Sequence, residues 1–157
     1  MIVVWRIEKA KYSPDAAKGI GAFTIGGRWN SPGKHAVYTS SALSLALLEI
    51  LVHSPSPTER RVARVFFRIE LPDSAVEEIP LSRLPRPFCP ITPDEPCRKI
   101  GDAWLAGNRS AALRVPSAVV PTEFNYILNP GHPSYTKSIK WWQAVPFHLD
   151  GRLCLDP

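Results

Sequence analysis

Seventeen prolines in a chain of 157 residues leave little room for long regular elements. Each one fixes its own φ, removes a backbone donor and pushes the residue before it out of the helical region. The sequence therefore predicts many short elements joined by stiff turns. Residues 2–7 are rich in β-branched and aromatic side chains and read as a first strand. Residues 9–30 are glycine-rich with no sustained period, so an irregular loop is expected. A short strand follows at 36–38, then a helix over 42–53 capped by Ser40 or Ser41, apolar almost all round and read as buried all round. Residues 61–71 set Val65, Phe67 and Ile69 on one parity and Arg64, Arg68 and Glu70 on the other, a strand with one face in the core. The proline-studded stretch 72–96 should carry loops and a short strand at 78–81. A helix is expected over 97–106, ending at Gly107.

Further on, 113–120 reads as a strand that is edge-like or bulged at Pro116. Another strand is expected at 123–128, before the Asn129-Pro130-Gly131 turn. The pair Asp150-Gly151 between 144–149 and 152–155 is a two-residue hairpin signal. No repeat or second domain is visible. The expectation is a single α+β domain over residues 1–157, with a twisted β-core and two main helices.

Charge and cysteine content exclude several classes. The balance of 19 Lys and Arg against 14 Asp and Glu is +5. That excess suits an anionic substrate or acidic partner, but the basic residues form no dense stripe, so direct nucleic-acid binding by this chain is not expected. Cys89, Cys97 and Cys154 make no CxxC pair, and His35, His53, His132 and His148 form no HExxH motif, so no metal site is expected. Residues 1–6 lack the pattern of a secretion signal and the apolar run 42–52 is too short to span a membrane. Reduced thiols and a cytoplasmic location are the expectation.

Two places carry chemistry. In Gly26-Gly27-Arg28-Trp29-Asn30 the glycines allow close backbone approach, and the Arg28 guanidinium offers a planar fork for phosphate oxygens. The spacing matches neither a dinucleotide fingerprint nor a P-loop, and a tight turn with a solvated arginine fits equally. Glu49 is the only charged residue between Ser40 and Val52. A carboxylate there either makes a structural hydrogen bond, pairs with His53 one turn on, or faces a cleft where it can stabilise a developing cation. Ser117 and Asn125 sit in apolar surroundings, where such side chains commonly satisfy backbone groups. No GxSxG elbow supports Ser117 as a nucleophile. Trp141-Trp142 suits either core or recognition surface.

Taken together, Trp5-Arg6, Gly27-Arg28-Trp29-Asn30, Val37-Tyr38-Thr39-Ser40, the helix end Leu48-Glu49-Ile50-Leu51-Val52-His53, Val115-Pro116-Ser117-Ala118-Val119 and Asn125-Tyr126-Ile127-Leu128-Asn129-Pro130 resemble the RES-domain proteins. That family is named for the Arg, Glu and Ser its members share. The likeness runs from Trp5 to about Pro146; each motif alone is weak, but six in order are specific. It implies a core similar to the ADP-ribosyltransferases of the diphtheria-toxin type. It also implies a toxin that uses NAD as substrate and depletes it by cleaving the nicotinamide–ribose bond, with water or phosphate as acceptor. By the same resemblance Arg28, Tyr38, Glu49 and Ser117 are the catalytic set, while Gly27, Arg28, Tyr38 and Asn125 bind NAD. The partner it implies is a small antitoxin with an Xre-like helix-turn-helix region that covers the active site, in a homodimer or larger hetero-oligomer. Two alternatives stay open: a protein ADP-ribosyltransferase using the same site, and a non-catalytic interaction module.

Overall fold

Strand β1 (Ile2–Lys9) pairs on one side with β2 (Val37–Ser40) and along its whole length with β3 (Arg64–Leu71), both antiparallel, in the computed structural model. The structure describes residues 1–54, 56–84 and 95–154. The remaining strands are β4 (Val76–Glu78), β5 (Ala112–Pro116), β6 (Phe124–Leu128), β7 (Lys140–Trp141) and β8 (Val145–Phe147). Together they form one sheet in the order β4-β5-β6-β2-β1-β3-β7, with β8 also on β3. Every pairing is antiparallel except β4 with β5. Among the described residues, five α-helices accompany the sheet: α1 (Ile20–Ile25), α2 (Leu43–His53), α3 (Pro57–Arg60), α4 (Glu95–Gly107) and α5 (Tyr135–Ser138). The architecture is α+β, as expected.

Alternation along the strands gives each face its own core. One face carries Val4, Val37, Phe67, Ile69, Tyr126 and Leu128, packed with Ala16, Tyr135 and Ile139. The opposite face carries Leu113, Val115 and Ile127 under Cys97, Trp104 and Leu105 of α4, together with Trp29. Ile127 and Leu113 are essentially fully buried, and burying a side chain of that size contributes about 1.5–3 kcal/mol. The predicted parity of β3 holds for Phe67 and Ile69. Arg64 departs from it, being 4% exposed. Its guanidinium is buried because it donates to the carbonyls of Glu59, Arg60 and Val62 around α3. Trp141 packs edge-on against Phe67, whereas Trp142 lies on the surface beside Arg68 and Lys140.

Several expectations need correction, among them a Ser40 or Ser41 cap on α2, whose N-cap is Ala42 with no side-chain cap bond. Residues 9–30 are not one irregular loop: a 3₁₀ turn spans Ala10–Asp15, and α1 follows Gly19 and stops at Gly26. The glycines bound a short helix instead of dissolving it. Helix α2 is not buried all round; it rests on β1 and β2 by one side, burying Leu45 and Ala46 and leaving Leu48 and Val52 exposed. The strand expected over 113–120 stops at Pro116, where it is edge-like but not bulged. Strand β5 lies between β4 and β6 and ends at Pro116, beyond the reach of β4, where the missing N–H opposes no partner. Finally, Asp150-Gly151 makes no hairpin. Asp150 Oδ1 accepts the Arg152 N–H at 2.9 Å and its carboxylate pairs with the Arg152 guanidinium, so the chain turns into a 3₁₀ segment, Gly151–Cys154, while β8 returns to β3. The short strand anticipated at 78–81 lies earlier, as β4. Cys97 and Cys154 are buried; Cys89 lies outside the described residues.

Candidate active site

The pairings Trp5 with Ser40, Ser40 with Asn125 and Tyr38 with Ile127 put these residues, and Ile7, on one face of the sheet. All six line a cavity of about 830 Å³, closed by Ala46, Glu49, Ile50 and His53 of α2, by residues 26–29 and by Arg98 of α4. That volume lies within the range of small-molecule sites.

Glu49 projects from α2 toward the ends of β5 and β6. Its Oε1 accepts two hydrogen bonds, from Ser117 Oγ at 2.8 Å and from Asn125 Nδ2 at 2.6 Å. The amide of Asn125 is oriented in turn, because its Oδ1 accepts from Ser40 Oγ at 2.8 Å. Ser117 Oγ itself accepts the backbone N–H groups of Val119 and Val120, each at 3.0 Å. Ser117 is fully buried and does not line the cavity, unlike its neighbours Pro116 and Ala118. Among the described residues it reaches the site through Glu49, so the geometry gives it the part of a positioning residue. Both bonds fall on Oε1, which leaves Oε2 without a hydrogen bond among the described residues. The carboxylate does not pair with His53, whose Nδ1 instead meets the Glu49 carbonyl at 2.7 Å.

Arg28 rides on a loop held from both sides. Tyr38 donates to Asn30 Oδ1 at 2.7 Å and accepts the Trp29 N–H at 3.0 Å. The buried Asn30 amide donates to the carbonyls of Ala22, Ser31 and Lys34. Gly27 must lack a side chain, since a Cβ would lie 2.4 Å from the Tyr38 hydroxyl. From the other side, Asp102 of α4 accepts the Ser31 N–H at 2.9 Å and its hydroxyl at 2.6 Å, while Arg98 Nε donates to the Gly27 carbonyl at 3.3 Å. On β1, Arg6 also lines the cavity, donating to the Tyr38 carbonyl at 2.9 Å and pairing with Glu8. Among the described residues, the lining thus sets three guanidiniums, Arg6, Arg28 and Arg98, against the one carboxylate of Glu49. Among the described residues, no three His, Cys, Asp or Glu side chains gather as metal ligands.

Burial raises the Tyr38 phenol well above its ordinary value, so Tyr38 stays protonated and serves as a donor. Burial likewise pushes Tyr135 up to about 12, and its hydroxyl donates to the Ala17 carbonyl at 2.9 Å. A phenol in the unfolded chain ionises near pH 10. The stabilisation is therefore complete below about pH 10 and is lost as the pH rises toward 12. Denaturant titrations should show stability falling above pH 10, and a flat profile from pH 9 to 12 would contradict this.

The RES domain family model matches residues 3–150. The chain belongs to the RES-domain family. Among relatives of this RES-domain chain, "Toxin Res" of Photorhabdus laumondii is 34% identical over 152 residues, covering 97% of both chains. The "Prs ADP-ribosylating toxin" of a Sphingobium species is 36% identical over 156 residues, covering 95% of this chain and 94% of that one. Its fold is similar to a chain in the crystal structure of the M. tuberculosis MbcT-MbcA toxin-antitoxin complex, with a TM-score of 0.74 and 21% identity over 94% of this chain and 84% of that one.

Of the residues that the sequence marks out, Gly27, Arg28, Tyr38, Glu49 and Asn125 meet at the RES-domain cavity, with Ser117 behind it. Sequence reading did not assign Arg6, Asn30, Ser40, Arg98 or Asp102. Ser40 carried a usable signal, standing two residues after Tyr38 in a strand. Arg98 and Asp102 carried none beyond the i, i+4 spacing common to any helix.

Proposed function

We propose that this RES-domain chain is the toxin of a toxin–antitoxin pair and depletes NAD by cleaving its nicotinamide–ribose bond. The observation that carries this reading is the Glu49 carboxylate, fixed through Oε1 by Ser117 and Asn125 in a cavity whose lining also holds the guanidiniums of Arg6, Arg28 and Arg98. Breaking that bond develops oxocarbenium character on the ribose, which a fixed carboxylate stabilises. The leaving group is a cationic pyridinium that departs as neutral nicotinamide, so no strong general acid is needed. Arg28 receives the pyrophosphate, Tyr38 packs against the nicotinamide or ribose, and Ser117 holds Glu49. Water or phosphate then takes the ADP-ribosyl group.

Incubating the purified chain with NAD and following nicotinamide by chromatography tests the reading. Nicotinamide should accumulate, with adenine label left in small soluble products. Intact NAD after prolonged incubation would sink the proposal. A second reading, transfer of ADP-ribose to a protein, is favoured by the relative named an ADP-ribosylating toxin. Adenine label becoming protein-bound would decide for it.

The inhibitory partner of this reading is a small antitoxin with an Xre-like region, acting with the toxin in the cytoplasm. Exposed Ile25 and Val52 line the cavity, and Leu48 is exposed on the same helix as Val52. Together with the arginines they offer a mixed patch for an apolar segment bearing a carboxylate. Among the described residues, no helix is long and apolar enough to cross a membrane.

A further inference from the structure

Helix α4 contributes more than a core face. Arg98, Gly101 and Asp102 stand at i, i+3 and i+4 and share one side of the helix. They meet the Arg28 loop at alternate residues: Arg98 at the Gly27 carbonyl, Gly101 at the Trp29 carbonyl and Asp102 at Ser31. Arg98 also belongs to the cavity lining, with Arg28. Its Nε is used on Gly27, and its two terminal nitrogens make no hydrogen bond among the described residues. A guanidinium tied at Nε and open at its outer edge presents the paired donors that phosphate oxygens take.

We infer that the cavity holds its anion with two arms, Arg28 from the loop and Arg98 from α4, and that the ligand class is a diphosphate ester. Two phosphoryl groups carry two negative charges, and two guanidiniums on separate elements match them better than one. The Asp102 and Gly101 contacts fix the spacing between the arms, because the loop cannot shift against α4 without breaking both. The inference rests on the proposed NAD reading for the identity of the ester, but the clamp itself is a statement about anion binding.

The test is calorimetric titration of the whole chain and of Arg98→Met and Arg98→Lys with ADP-ribose, inorganic pyrophosphate and adenosine. Loss of a charge-assisted pair should weaken ADP-ribose and pyrophosphate roughly tenfold or more in Arg98→Met. Arg98→Lys should recover part of that loss, since it keeps the charge without the fork. Any adenosine binding should be the same in all three proteins, which a merely structural role for Arg98 would not predict. Unchanged ADP-ribose affinity in Arg98→Met would overturn the second arm and leave the NAD reading standing. Arg98-dependent binding of pyrophosphate with no binding of ADP-ribose would support the clamp and count against NAD. Binding of neither anion by the unaltered chain would overturn the clamp, and nicotinamide release measured separately would then decide the NAD reading.

Discussion

Glu49→Gln should cut NAD cleavage roughly a hundredfold to a thousandfold, the usual cost of removing one transition-state electrostatic contact, while the protein folds as before. Ser117 Oγ–H and the Asn125 amide both donate to Oε1, and an amide oxygen at that position can accept both bonds. The glutamine then turns its NH₂ group toward the place of Oε2. The geometry survives and the charge disappears. Nicotinamide release in single-turnover reactions, set beside the thermal midpoint, separates the two effects. A variant that keeps full turnover would remove Glu49 from the chemistry, and one that fails to fold would show that its charge is structural.

Gly101→Ala should be the most damaging of the glycine-to-alanine substitutions. A Cβ at position 101 would lie 1.8 Å from the Trp29 carbonyl oxygen and 2.7 Å from its carbon. Both are backbone atoms, so no side chain can swing aside. Either α4 lifts off the Leu113, Val115 and Ile127 face or the Arg28 loop is pushed away from α4. Overpacking of this kind costs about 3 kcal/mol or more, equivalent to about 6–12 °C in thermal midpoint for a domain of this size. Gly21→Ala is the control. It sits in α1, where an added Cβ meets nothing within 4 Å, and replacing an unstrained helical glycine there should stabilise by about 0.5–1 kcal/mol. Differential scanning calorimetry of both variants checks the contrast; equal midpoints would mean that the α4–loop contact yields easily.

The strands were legible where alternation was strong. Phe67 and Ile69 showed the buried parity of β3, whereas Ser117 and Asn125 read as groups satisfying the backbone, which Ser117 does at Val119 and Val120 while Asn125 turns to Glu49 and Ser40 instead. Helix α2 was legible as a helix but not as a half-covered one. An apolar run such as 42–52 shows what could be buried, while the sheet covers only the side that carries Leu45 and Ala46. The hairpin expected at Asp150-Gly151 failed because an aspartate can satisfy the backbone two residues on as readily as it can open a two-residue turn. The arrangement of α4 over the Arg28 loop was invisible for a different reason. Ser31 and Asp102 are 71 positions apart, and neither residue is unusual in its own surroundings. The candidate carboxylate could be read from one helix, whereas its setting needed the whole sheet order.

That order has a consequence for the chain as it is made. The two donors on Glu49 come 68 and 76 residues later in sequence, on a strand end and a neighbouring strand that dock beside β2 only when β6 has formed. A ribosome that has released α2 has exposed the carboxylate but nothing to aim it, and translation halted before Asn125 yields a fragment with no assembled site. Contacts this distant also form late and slowly in folding. The candidate site of a protein with this connectivity therefore stays unassembled through most of the chain's own synthesis.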